Sequence, residues 1–327
     1  EEQINTNKEN SKVTETNNES SIDLPKEETE ELFVEKKKKT FKKVPRVKIL
    51  NKELIGSISL IGARIDDLTL VNYRKTLDPE SDQIRFLKKI NGEQPFFAQF
   101  GWSSPDDVQV PNGNTVWESS GNLISPDRSI TLRWENDQGI KFLKKISIDE
   151  NFMIKVEQKV VNSTSNKIKL YPYGLIRRSG EPETTDFFVL HEGPLGVFDG
   201  SLTEKSYSDL KESGKSGLTF KPEKLGGWIG ITDKYWMAAL IPDQSQKSKF
   251  TYRYINSNKS YQTDFLGQLS VIAPNSEQVI TSRVFSGAKK LNLLDSYEND
   301  LKIEHFDLAI DFGWFYFLTK PFFYALS

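Results

Sequence analysis

The sequence predicts a mainly β fold in which antiparallel sheets pack as one large sandwich. Three observations carry this. Between residues 44 and 286, about a dozen short runs alternate apolar and polar residues, or run apolar, over strand-like lengths. Turn chemistry separates them, as in Pro111-Asn112-Gly113, Asp137-Gln138-Gly139 and Asn256-Ser257-Asn258. Helical spacing of apolar residues is absent until after Gly287. A chain of 327 residues holds one large β domain or two ordinary ones. No fixed-period repeat marks it as a propeller or solenoid.

Residues 1–43 read as a disordered polar tether. Glu, Asn, Ser, Thr and Lys dominate it, with scarcely a large apolar residue before Leu32-Phe33-Val34. Such a segment cannot bury enough surface to offset its chain entropy. Lys36 to Lys39, with Lys42 and Lys43, form a basic run at its end. That run fits attraction to anionic headgroups, although a solvated linker is the plainer reading.

The sandwich is expected over residues 44–286. Its strands are placed at 54–65, 96–102, 129–134, 140–148 and 152–161. In the last of these, Phe152, Ile154, Val156 and Gln158 share one face and Val160 resumes the stripe. Further strands fall at 167–176, 187–190, 227–232, 236–241, 249–256, 261–269 and 278–285. Residues 287–310 then form a coupling helix and linker. Leu291, Leu294, Tyr297 and Leu301 recur at spacings of three and four, an amphipathic helix of about three turns. Leu291, Leu294 and Leu301 are expected to dock it on the sheet.

Residues 311–327 are the densest aromatic and aliphatic stretch of the chain. Read as a helix capped by Asp311, they place Tyr316, Thr319, Lys320 and Ser327 on one stripe. Trp314, Phe315, Phe317, Leu318, Phe322, Ala325 and Leu326 cover the opposite face. At ~1.5 Å per residue the run reaches roughly 22 Å, short of a ~30 Å hydrocarbon core. It is therefore expected to lie flat as an interfacial amphipathic helix, leading to a transmembrane segment beyond Ser327. Trp314 would sit at headgroup depth, Lys320 would snorkel toward water and Pro321 would bend the axis. Folding back onto the domain core is the alternative, and it needs a matching groove.

Composition narrows the chemistry. A formal charge of −2 gives no footprint for nucleic acid. Zero cysteines exclude disulfides, thiolate metal sites and cysteine nucleophiles. Two histidines, His191 and His305, disfavour a His-rich metal centre or paired-histidine acid/base work. No N-terminal signal peptide or apolar span is visible. A membrane anchor, if the protein has one, is expected before Glu1 or after Ser327.

Two stretches match a family pattern. Asp311-Phe-Gly-Trp-Phe-Tyr-Phe-Leu-Thr-Lys-Pro-Phe-Phe323 resembles the membrane-entry segment of the bacterial YidC membrane protein insertases. Gly226-Gly-Trp-Ile-Gly-Ile-Thr-Asp-Lys-Tyr-Trp-Met-Ala-Ala-Leu-Ile-Pro242 looks like that family's Gly-Gly-Trp strand and the strand that follows it. Phe142-Leu-Lys-Lys-Ile146, on through Val156, resembles the strand pair before the domain's second half. Tyr171-Pro-Tyr-Gly-Leu-Ile-Arg-Arg-Ser-Gly180 is similar to the version in alphaproteobacterial members. The match runs in order from about residue 45 to 327.

The resemblance implies a large periplasmic domain between the first two transmembrane helices of an inner-membrane insertase. It implies a β-supersandwich of the galactose mutarotase kind with a helical C-terminal linker. Gly226, Gly227, Trp228, Tyr235, Trp236, Pro242 and Gly313 would be its structural motif residues. The parent would aid insertion and folding of membrane proteins, alone or beside the Sec translocon. Its working groove would lie downstream of Ser327, contacting substrate membrane proteins. Sec accessory subunits and the bilayer surface are the partners expected of this part, with no cofactor and no metal.

A carbohydrate-binding or aldose-epimerase-like supersandwich protein is the alternative. His191 beside Glu192 is its candidate acid, and a local loop histidine is the plainer reading. His305 reads as partly buried or interfacial. Arg177-Arg178, near Glu181 and Glu183, has fork geometry for an anion but also reads as a surface ion-pair cluster. Trp228, Tyr235, Trp236 and Phe250 would stack on a sugar or fill the core. Asn162-Ser163-Thr164 fits a glycosylation acceptor. The expectation is a non-catalytic positioning and interaction module.

Overall fold

Alternation in the sequence is reproduced in the burial of each strand. Along Ile140–Ile148 every second side chain is buried, and Met153–Asn162 does the same from Ile154 onward. In this computed structural model, residues 44–182 and 190–310 are described. The expected tether and interfacial helix, with Gly313, Trp314, Phe315, Phe317, Leu318, Lys320, Pro321 and Phe322, lie outside the described residues.

Among the described residues, eleven strands form one sheet and nine the other. The first runs in spatial order Leu218–Phe220, Lys249–Ile255, Ser260–Leu266, Ile168–Ser179, Phe96–Ser103, Arg64–Arg74, Leu54–Ser59, Arg46–Leu50 and Leu123–Ile124. Ser270–Ile272 adds to Ile168–Ser179, and Gln83–Leu87 adds to Arg64–Arg74. The second runs Ser201–Glu204, Gly193–Phe198, Trp228–Thr232, Trp236–Ile241, Ser276–Ala288, Met153–Asn162, Ile140–Ile148, Ile130–Glu135 and Glu118–Ser119. Pairing is antiparallel except where Arg46–Leu50 meets Leu123–Ile124. One contiguous core, including Leu68, Trp102, Trp117, Phe142, Val156 and Phe285, fills the space the two sheets enclose.

Two local expectations are corrected. The single strand placed at 54–65 is two, because the chain reverses at Gly62 (φ 73°) and Ala63 (φ 54°). A side chain on Gly62 would meet the Gly113 carbonyl oxygen at 2.5 Å, so glycine is required there. A short helix, Tyr207–Glu212, interrupts the β region. It is opened by a capping box of Ser206 and Asp209 and held by buried Tyr207 and Leu210. In the strand expected at 187–190 the first three residues lie outside the described residues, and Leu190 sits in a bend.

After the last strand the helix Leu291–Leu301 forms, ending at Lys302 in a left-handed conformation (φ 56°). A 3-10 turn, Phe306–Ala309, follows. Among the described residues no helix is long and apolar enough to cross a membrane.

Candidate functional site at the seat of the C-terminal helix

The Gly226 to Pro242 stretch builds the hairpin Trp228–Thr232 and Trp236–Ile241. Gly226 and Gly227 both hold positive φ, 80° and 89°, which turns the chain into its first strand. A side chain on Gly227 would meet the Val197 carbonyl oxygen at 2.6 Å. Trp228 is wholly buried. Its Nε1 donates to the Glu304 carbonyl at 3.1 Å, and its ring meets Phe306 edge-on at 5.4 Å. Phe306 continues to Phe285 at 5.6 Å and Tyr297 at 6.4 Å, and Phe285 to Phe152 at 5.9 Å. Edge-to-face contacts of this kind add to simple burial. The cluster ties hairpin, long strand, helix and 3-10 turn together.

At the other end of the hairpin the helix begins. Lys289 N donates to the Tyr235 carbonyl at 3.0 Å. Trp236 is half-buried against Tyr73 at 4.8 Å, whereas Tyr235 is 58% exposed. Pro242 is buried, and its carbonyl accepts from Gln244 Nε2 at 2.9 Å. Lys290 pairs with Glu53 at 2.9 Å and lies over the Phe152 ring at 5.2 Å. On the helix, Leu294 is wholly buried, Leu291 and Tyr297 are buried, and Leu301 packs half-buried against the core. Tyr297 Oη donates to Asp149 Oδ2 at 2.5 Å, while Phe152 N donates to Tyr297 Oη at 3.4 Å. Burial and the Asp149 charge push the Tyr297 hydroxyl well up, so it remains a donor.

Below the helix, Glu298, His305 and Asp307 each bring a ligand-type atom within 4.8 Å of the others. Glu298 Oε2 also accepts from Asp307 N at 3.3 Å, which makes it a brace for the turn. Burial raises the Glu298 carboxyl; the bond from Asp307 N works against this and the Asp307 carboxylate works with it. Of the two expectations for His305, partly buried or interfacial, the first does not hold: the residue is exposed, at φ 48° at the start of the 3-10 turn.

The remaining candidates are spent elsewhere. His191 Nε2 lies 3.1 Å from the Pro194 carbonyl oxygen, and Glu192 Oε1 accepts from Lys234 N at 3.0 Å. Arg177 Nε donates to Gln262 Oε1 at 3.0 Å and Arg178 pairs with Asp233. Glu181 is engaged by Lys211 at 2.6 Å and by the Tyr261 hydroxyl; Glu183 lies outside the described residues. Phe250, like Trp228, is core. Asn162 is wholly buried, and its Nδ2 bonds the carbonyls of Asn166, Ile272 and Ala273, which removes it as a glycosylation acceptor.

Sequence reasoning missed Phe306 and the Tyr297–Asp149 bond, which join residues far apart in the chain. It also missed Lys144. Its signal was available: Lys144 falls on the apolar phase of Ile140–Ile148.

The family model described as the YidC periplasmic domain matches residues 46–325. A Methylorubrum extorquens protein named membrane protein insertase YidC is 43% identical over 290 residues, 86% of this chain and 47% of that protein. A Rickettsia felis protein of the same name is 42% identical over 287 residues, 87% of this chain and 51% of that protein. The chain thus spans about half the length of the curated relatives it matches. Among solved structures, a galactose mutarotase related enzyme from Lactobacillus acidophilus aligns with TM-score 0.50 at 11% identity, over 74% of this chain and 97% of that one. A Synechocystis protein gives 0.50 at 9% identity, over 75% and 96%. Likeness at such identity shows the β-supersandwich fold alone.

Proposed function

The chain belongs to the family of YidC periplasmic domains, and from that premise we propose that it is a non-catalytic positioning and interaction module of an inner-membrane insertase. The parent aids insertion and folding of membrane proteins, alone or with the Sec translocon. This part sits in the periplasm. The observation that carries the proposal is the seat just described. The family-motif hairpin, through Trp228, grips the helix and 3-10 turn that lead into residues 311–327. A rigid seat lets the sandwich set the position of the membrane-entry segment, and conversely.

In this reading Leu291, Leu294 and Leu301 dock the helix, and Trp314, Phe315, Phe317, Leu318 and Phe322 contact lipid. Lys320 lies near headgroups and Pro321 bends the segment. One face of the sandwich contacts accessory subunits of the Sec translocon, and substrate membrane proteins meet the transmembrane part.

The test is co-sedimentation with anionic liposomes, using the chain with and without residues 311–327. Partitioning should fall severalfold on truncation, and in the double variant Trp314→Ala, Phe317→Ala, with the β-sheet circular dichroism unchanged. Equal partitioning of all three proteins would refute the interfacial role. Loss of fold in the double variant would instead place these side chains in the core.

A further inference from the structure

Two polar side chains stand on the buried phases of neighbouring strands. Gln158 falls on the apolar stripe of Met153–Asn162, and Lys144 on that of Ile140–Ile148. They are directly opposite each other in the register that pairs these strands. Both reach across the sandwich to Phe96–Ser103 in the other sheet. Lys144 Nζ donates to the Phe100 carbonyl at 2.5 Å, and Gln158 Nε2 donates to the Gly101 carbonyl at 2.8 Å. The bond to a carbonyl identifies that Gln158 atom as the nitrogen, which fixes where the oxygen lies. Gln158 Oε1 is buried and has no partner among the described residues. A buried acceptor left alone is costly, so this half of the amide needs a donor.

Beside Gln158 lies a cavity of about 10 Å³. Trp102 and Leu170 wall it from one sheet, Val160 and Ile280 from the other. The short strand Ser270–Ile272, which adds to Ile168–Ser179, contributes Ser270 and Ile272. The polar side chains that line it are Gln158, Ser270 and Gln278. Gln158 and Gln278 belong to the nine-stranded sheet and Ser270 to the other. The amide of Gln158 is spent on Gly101 through its nitrogen alone, so no direct bond joins it to Ser270.

We propose that this cavity binds one water as a structural ligand, which donates to Gln158 Oε1 and bonds the Ser270 hydroxyl, bridging the two sheets. Three features select water. The orphan atom is an acceptor, so the occupant must donate. No charged side chain lines the space, so the occupant must be neutral. The volume admits a single water centre and no organic molecule. The water is then the third link of a polar seam, after Lys144 to Phe100 and Gln158 to Gly101. All three links lie within an otherwise apolar core, where a slip of either sheet would leave buried polar atoms unpaired. The seam thereby fixes how the sheets face each other. Its water ties in Ser270–Ile272, from which the chain crosses to the long strand Ser276–Ala288 of the other sheet.

The test combines a high-resolution crystal structure of the chain with magnetic relaxation dispersion of water oxygen in solution, which counts long-lived internal waters. Gln158→Met keeps the side-chain length and removes the acceptor. Ser270→Ala removes the far partner on a peripheral strand. Wild type should show density for a water within hydrogen-bond distance of Gln158 Oε1. Gln158→Met should lack that density and hold one long-lived water fewer. In urea unfolding the two substitutions should be less than additive, because either one alone breaks the bridge. Absence of the density, or an unchanged count of long-lived waters in Gln158→Met, would overturn the site. Additive effects would overturn the bridge. Should Gln158→Met fail to fold, Ser270→Ala carries the test: its water should exchange faster than in wild type, and an unchanged residence time would end the proposal.

Discussion

Lys144 stands on the buried phase of its strand, between Phe142 and Ile146, and is 3% exposed. Its Nζ donates to the Phe100 carbonyl at 2.5 Å and lies 4.5 Å from the Trp117 ring and 5.7 Å from that of Trp102. Burial first, and the Arg64 charge second, push its ammonium down to about 7. An unfolded lysine keeps its proton to about 10.4. Between these values the unfolded state binds more protons than the folded one, so stability rises with pH, by up to about 1.4 kcal/mol per unit. Below about 7 both states are protonated and the cost of burying the charge is constant. Lys144→Met keeps the volume and removes the titration. Urea unfolding from pH 7 to about 9.5, below the tyrosine range, should show wild type gaining on the variant as pH rises. Parallel curves would show that Lys144 stays charged in the fold.

At the scale of elements, the helix Leu291–Leu301 is held by few but deep contacts. Leu294 is its one wholly buried leucine, and Leu→Ala at such sites costs roughly 2–5 kcal/mol. Leu294→Ala should therefore destabilise by about that amount. Hydrogen exchange should speed up first in residues 291–310, before the central strands. Uniform acceleration would mean that the helix is no separate unit from the sandwich. This helix was legible because its apolar spacing is local. So were the long strands Ile140–Ile148 and Met153–Asn162, whose alternation spans enough residues to be unambiguous. Gly193–Phe198 was not, since its sequence Gly-Pro-Leu-Gly-Val-Phe carries turn residues and is a strand only through its neighbours on both sides. Two-residue strands such as Leu123–Ile124 leave no periodic signal at all. The seat was half legible: the motif hairpin and the helix face could be read, but Trp228 meeting Phe306 is a contact across more than seventy residues that no local pattern encodes.

For the whole molecule, the fold is shared with mutarotase-related proteins, but the side chains that would do sugar chemistry are otherwise engaged. Epimerisation at an anomeric carbon needs an acid and a base facing each other across the ring. His191 is turned to the Pro194 carbonyl, and its neighbour Glu192 caps the backbone of Lys234. Asp209 is held by Ser206 N at 2.8 Å as a helix cap, and that bond keeps its carboxyl below the usual carboxylate range. His305 lies at the other site, in the turn below the C-terminal helix. The two-sheet core is common to both, and here an aromatic cluster of Trp228, Phe306, Phe285 and Tyr297 joins it to the helix and 3-10 turn. We expect α-galactose to mutarotate in the presence of this chain at the rate seen in buffer, followed by polarimetry or proton NMR. We also expect no saturable hexose binding by calorimetry. A saturable acceleration that is lost in His191→Ala would overturn the non-catalytic reading, because it would show that His191 acts as a positioned acid. Acceleration that survives His191→Ala would place catalysis elsewhere in the sandwich and equally end it.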